Sequence, residues 1–133
     1  MNKENNTISL HKLSNALSRI INHRFIFHIS ENDLVGSILV MEKNGKAFAR
    51  TYWFSDDNST IYFDWLSVDK SERGNGIATL LLNSHIEVAK ELNVTTMLWV
   101  KKETWMYEWY KRKGYVDYKD YEKESNAIWM KIY

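Results

Sequence analysis

The spacing between apolar segments changes once along this chain, and that change decides most of what it can fold into. From Phe25 to Val68 four strand-like runs follow one another: Phe25–Ser30, Leu34–Glu42, Lys46–Phe54 and Thr60–Val68. The connections are short and polar. Glu31-Asn32-Asp33 and Ser55-Asp56-Asp57-Asn58 are two of them, and Asn44-Gly45, which accepts the positive φ of a tight hairpin, is the third. Connections this short join antiparallel neighbours, so this half predicts a meander. After Val68 the next strand, Thr95–Lys101, comes only after a glycine-bearing loop and a helical run ending near Leu92. A connection of that length permits a crossover, so the fourth and fifth strands are predicted to be parallel neighbours. The predicted class is α+β, a mixed sheet with a β-loop-α-β unit at its centre.

The remaining segments fit around this frame. Residues 7–22 place Ile8, Leu10, Leu13, Leu17, Ile20 and Ile21 at helical spacing, and His11 and His23 fall in the same helix. The long helix after the loop has Ile77, Leu80, Leu81, Ser84, Val88 and Leu92 on one stripe. Leu82, Ile86 and Ala89 widen it, as expected of a helix that covers a sheet. Thr104–Lys113 predicts a short aromatic helix, closed by a left-handed Gly114. Tyr115–Glu122 and Ala127–Tyr133 predict a closing hairpin.

With 133 residues and no repeat or linker, residues 1–133 are expected to form one domain. A hydrophobic content of 44% can fill a core. The net charge of +1 argues against a nucleic-acid partner. The absence of cysteine excludes a disulfide scaffold, a thiolate metal site and a cysteine nucleophile. The four histidines form no H-x-x-x-H pair, so no metal site is expected. Nothing in the sequence explains the absence of proline. The polar start Met1–Asn6 is unlike a secretory leader, and no apolar run approaches the ~20 residues that cross a bilayer. The expected setting is cytoplasmic, with no membrane partner, as a monomer or homodimer.

The chemistry is concentrated in Val68-Asp69-Lys70-Ser71-Glu72-Arg73-Gly74-Asn75-Gly76-Ile77-Ala78. A strand ends, a glycine loop turns and a helix begins. Glycines let backbone N–H groups approach an anion, and the helix N-terminus adds a favourable dipole, so the segment can cradle a phosphate. A dinucleotide fingerprint is a poor match because position 79 is Thr, and no Gly-Lys-Ser/Thr follows for a P-loop. Judged on its glycines alone, the loop is an ordinary helix start.

The wider pattern is more specific. Arg73-x-x-Gly76-x-Ala78, after a strand ending Leu66-Ser67-Val68, resembles the coenzyme A loop of the GNAT-type N-acetyltransferases. Tyr110-Lys111-Arg112-Lys113-Gly114-Tyr115 is similar to the Tyr-x-x-x-Gly-Phe/Tyr that ends the last helix of that family. The resemblance covers about residues 25–133, in order. It departs at Glu103 and Met106, where members often carry Asn and Ala. It departs again at the start, where only Thr7–Leu10 could supply a strand ahead of the first helix.

The resemblance implies a GNAT-like sheet whose fourth and fifth strands splay around the pantetheine of acetyl-CoA. Backbone groups at Leu66 and Val68 would place the thioester and stabilise its oxyanion. The N–H groups of Gly74, Asn75, Gly76, Ile77 and Ala78, with Thr79 on the first helical turn, would bind the pyrophosphate, and Arg73 would add charge. Tyr110 would protonate the departing thiolate, and Glu103, lacking the family's Asn role, would serve the substrate.

Asp64 is the candidate base for a primary-amine acceptor. It is the one charged residue in Ile61–Leu66 and, by strict alternation, shares a face with Leu66 and Val68. An apolar setting favours the proton-accepting behaviour that a base needs. The competing reading is an Asp facing solvent or paired with Lys or Arg. Glu103 and Glu42 are weaker candidates for the base, and Trp105, Trp109 and Tyr115 are assigned to the core. Lys111-Arg112-Lys113 complements a helix C-terminus. The expected activity is acetyl transfer from acetyl-CoA to an amine. The alternative is a catalytically idle acyl-CoA-binding or interaction module on the same fold, and the two part on whether Asp64 and Tyr110 converge on one channel.

Overall fold

Three helices lie on one face of a seven-stranded sheet in the computed structural model, which describes residues 8–21 and 24–132. The elements are α1 (Leu10–Ile20), β1 (Phe25–Glu31), β2 (Val35–Glu42), β3 (Ala47–Phe54), β4 (Thr60–Val68), a single 3₁₀ turn (Lys70–Glu72), α2 (Ile77–Leu92), β5 (Thr95–Lys101), α3 (Trp105–Arg112), β6 (Val116–Asp120) and β7 (Ala127–Ile132). The strand order is β1-β2-β3-β4-β5-β7-β6. β1 to β4 form the antiparallel meander and β5 runs parallel to β4, as the connection lengths require. The closing hairpin enters in an order that its own sequence does not encode. β7 inserts between β5 and β6, pairing with both.

Local chemistry explains where the elements end. Ser9 caps α1 by accepting from the Lys12 N–H, so the helix starts at Leu10 rather than at residue 7. Thr7 and His23 lie outside the described residues, and among the described ones no strand precedes α1. α2 ends at a left-handed Asn93 whose N–H reaches the Ala89 and Lys90 carbonyls. Gly114, with φ of 107°, closes α3 as expected.

The core has two lobes. α1 buries Leu13 and Leu17 against Ile38, Trp53, Ile61 and, on α2, Val88 and Ala89. The larger lobe joins Ile77, Leu81 and Leu82 of α2 to Leu98, Val100, Tyr110, Tyr115 and Met130. Each fully buried aliphatic side chain contributes about 1.5–3 kcal/mol. Gly36 is required by packing: a Cβ there would lie 2.2 Å from the Trp53 indole, the largest fully buried side chain. Leu80, placed on the apolar stripe by its spacing, is 36% exposed because α2 turns that edge away from the sheet.

The opposite face of the sheet carries no helix among the described residues. Alternation along β3 puts Ala47, Ala49, Thr51 and Trp53 under the helices, and Phe48, Arg50, Tyr52 and Phe54 on the open side. Tyr62 of β4, Trp99 of β5 and Trp129 of β7 continue that open side as aromatic contacts, joined by Tyr121 after β6.

Candidate active site

β4 and β5 part company early. Their ladder consists of Thr60–Thr95, Ile61–Thr96 and Tyr62–Met97, although β4 runs on to Val68 and β5 to Lys101. Beyond Tyr62 one edge of β4 has no strand beside it among the described residues. A row of unpaired backbone groups of this kind can receive an extended ligand carrying amides of its own.

An open cleft of about 600 Å³ fills the fork. Leu66, Ser67 and Val68 form one wall. Glu72, Arg73, Gly74, Gly76, Ile77, Ala78 and Thr79 form the end, and Trp105, Met106 and Trp109 form the other wall. The loop is held from behind. Asp69 accepts from both the N–H and the hydroxyl of Ser71, and these bonds hold its carboxyl below the usual carboxylate range. Arg73 Nε–H donates to the Val68 carbonyl at 3.1 Å, folding the loop onto the strand end. Arg24 bridges Glu42 and Glu72 at 2.6 and 3.6 Å. Glu42 is thereby a buried partner of Arg24.

Gly74 and Gly76 are left-handed, with φ of 87° and 76°, and a Cβ at either would meet nothing within 4 Å. Gly76 is the N-cap of α2 and has no side chain with which to cap the N–H groups of the first turn. Bare amides, two glycines and the dipole of a 16-residue helix together suit a phosphate group.

The remaining candidate residues lie outside the cleft wall. Tyr110 is buried one turn beyond Met106 on the same face of α3, against Trp109 and Tyr115, and burial pushes its phenol up to about 12. Glu103 accepts from the Asn126 side chain at 2.9 Å. Asn75 sits between the two left-handed glycines.

Asp64 departs from the strict alternation. Trp65 adopts φ of 62°, and the β3–β4 register slips by one residue there, from Arg50–Asp64 to Phe48–Ser67. This bulge reverses the side-chain phase. Leu66 and Val68 pack into the core, while Asp64 stays on the open side. There Arg50 grips it through both oxygens at 2.9 and 2.6 Å, and the guanidinium lies 4.8 Å over the Trp65 ring. The shared face expected from alternation is therefore absent, and the charge pairing weighed against it is present. Asp64 and Tyr110 stand on opposite faces of the sheet, on either side of the fork. Burial, and then the Asp64 charge, push the neighbouring Tyr52 phenol up to about 12.

Two features of the site escape sequence reasoning. Trp105, assigned to the core by its aromatic character, is 68% exposed and forms the rim of the cleft. His85, which reads as one polar residue on an apolar helix, is buried and bonded at both ring nitrogens, and burial lowers its pKa to about 3. Among the described residues no group of His, Asp and Glu side chains could hold a metal ion, and no helix is long and apolar enough to cross a membrane.

Comparison with known proteins agrees with this architecture. The sequence model of the Acetyltransferase (GNAT) family matches residues 6–122. A GNAT family acetyltransferase from Elizabethkingia anophelis, solved with acetyl-CoA bound, superposes with a TM-score of 0.60 at 15% identity, covering 84% of this chain and 99% of its own. Escherichia coli ElaA gives a TM-score of 0.60 at 17% identity over 95% of this chain and 93% of its own. An acetyltransferase from Bacillus cereus gives 0.56 at 19% identity over 92% and 86%. No curated protein matches the sequence at a significant level. The forked sheet, the glycine loop at the fork and the match over most of the sequence place this chain in the GNAT acetyltransferase family.

Proposed function

We propose that this protein transfers an acetyl group from acetyl-CoA to a primary amine by direct attack on the thioester. The observation that carries the reading is the cleft in the β4–β5 fork, closed at one end by left-handed glycines and an uncapped helix start. Bound there, acetyl-CoA supplies an activated acetyl thioester. The amides of Gly74, Asn75, Gly76, Ile77 and Ala78, with Thr79, hold the pyrophosphate, and Arg73 adds positive charge at the rim. The free edge of β4 near Leu66 and Val68 aligns the pantetheine arm and offers an N–H to the developing oxyanion. Leu66, Val68 and Met106 keep water from the reacting end.

Tyr110, one turn beyond Met106, gives its proton to the leaving sulfur. A phenol near 12 keeps that proton across the neutral range and is a weaker acid than an ordinary thiol, near 8.5, so its hydrogen bond stabilises the sulfur as it departs and the transfer is completed as water restores the phenol's proton. The amine approaches from the open face, where Asp64 helps to orient it and receives its proton directly or through water. The Arg50 pair must loosen for that step. The same pair favours the second reading, a catalytically idle acyl-CoA-binding module. Free-thiol release with a panel of amines separates the two.

Acetyl-CoA at about a hundred times its Kd is expected to stabilise the fold by roughly 2.7 kcal/mol, and pantetheine by less. Thermal unfolding with each ligand measures this. An unchanged Tm at millimolar acetyl-CoA overturns the coenzyme assignment.

A further inference from the structure

The β4–β5 ladder ends at Tyr62–Met97, and a buried chain of side chains begins beside it. Thr51 of β3 lies 2.7 Å from His85 Nδ1. His85 Nε2 lies 2.5 Å from the hydroxyl of Thr96 of β5, which lies 2.9 Å from the Tyr115 phenol. All four residues are buried. The imidazole sits 4.8 Å from the ring of Phe63, the first β4 residue past the ladder. The chain therefore passes over β4 and ties β3 to β5 at the point where backbone pairing stops. Tyr115, at its end, packs on Tyr110.

Either tautomer of the neutral ring uses both nitrogens: Nδ1–H donates to Thr51 while Nε2 accepts from Thr96, or Nε2–H donates to Thr96 while Nδ1 accepts from Thr51.

We propose that His85 is a positioning residue: with Thr51, Thr96 and Tyr115 it forms a strap that fixes how far the β4–β5 fork opens, and so preorganises the cleft. The proposal rests on the coenzyme reading above. A cleft held at its working width binds without first selecting that width from a looser ensemble, so a cut strap appears as lost affinity. Apolar packing joins α2 to β3, β4 and β5, and the His85–Thr96 contact adds the side-chain hydrogen bond that reaches β5 beside the end of the ladder.

Two amide replacements separate the arms. In His85→Gln the side-chain amide, which can accept or donate, can take the place of Nε2 and keep Thr96. In His85→Asn the amide can take the place of Nδ1 and keep only Thr51. Each leaves one buried hydroxyl without its partner, so both should lose similar amounts of thermal stability. Coenzyme affinity should differ between them. By calorimetry at a temperature where all variants are folded, His85→Asn and Thr96→Val should bind acetyl-CoA about tenfold more weakly than wild type, and His85→Gln within about threefold. Wild-type affinity in folded His85→Asn and Thr96→Val would make the chain core packing and overturn the strap. Equal losses in His85→Gln and His85→Asn would overturn the arm assignment and the strap with it. A wild-type protein that binds no acetyl-CoA would instead overturn the coenzyme reading on which the proposal stands.

Discussion

The two sides of the β4–β5 fork are made of different materials. The helix side is built from backbone amides, two left-handed glycines and apolar walls. The open side is built from long side chains that bind one another: Arg50 with Asp64, Trp65 with Phe48, and Tyr52 with Tyr62. Backbone geometry suits a cosubstrate whose shape never changes, since it is fixed by the fold itself. Side-chain surfaces can be replaced residue by residue while the fold stays intact. In this molecule the first kind of surface faces the proposed coenzyme and the second faces the proposed acceptor.

Gly76→Val should break the division most sharply. The residue is left-handed, so a β-branched side chain is strained there, but its Cβ would meet no described atom within 4 Å. Acetyl-CoA affinity should fall several hundredfold through lost charge-assisted amide contacts, with a much smaller fall in stability. Calorimetry beside a melting curve tests this, and unchanged affinity would reduce the loop to a helix start.

Tyr110→Phe should lower turnover about a hundredfold, the low end for a general acid, and leave acetyl-CoA affinity nearly intact. The defect should deepen as pH rises, because water then has to supply the proton. Wild-type turnover across pH 6–9 would make Tyr110 a packing residue.

His85 adds a pH test of the structure between the two sides. Its folded pKa of about 3 lies below the unfolded 6.5, so the unfolded state binds a proton that the folded state refuses. Stability is therefore intact above about 6.5 and falls as pH drops, by up to about 1.4 kcal/mol per unit until about 3. Urea titrations at pH 7, 6 and 5 should show this slope, and His85→Gln should flatten it. An identical slope in the variant would place the titration elsewhere.

Asp64→Asn should have the smallest effect and the most selective. The KM for the best amine should rise about tenfold while acetyl-CoA affinity holds, since Asp64 lies across the sheet from the cleft. A parallel loss of coenzyme affinity would show that the two sides are not independent.

Periodicity and turn chemistry made the elements legible, and the spacing of Arg73, Gly76 and Ala78 made the coenzyme side legible, because these are local properties of the chain. The acceptor side departs from strict alternation at one residue. Nothing near Trp65 announces a positive φ, a conformation that bulky residues rarely adopt. That one bulge puts Asp64 on the face opposite to Leu66 and Val68. The insertion of β7 between β5 and β6 depends on which free edge the returning strand meets, and that is decided in three dimensions. The bonding of His85 is not legible in the sequence because its partners, Thr51 and Thr96, come to it from other elements of the fold. Trp105 reads as core because a large aromatic on a cleft wall has the same sequence signature as one in a core.

The placement of the tryptophans also makes the protein its own optical probe. Trp105 and Trp109 line the cleft, Trp65 and Trp99 lie on the open side, and Trp53 is sealed in the interior. A molecule entering the fork changes the solvent contact of the first pair, and one settling on the open side changes that of the second. The emission of Trp53 is shielded from both and serves as an internal reference. Variants that keep one indole at a time would let the arrival of each substrate be timed separately, without any attached dye.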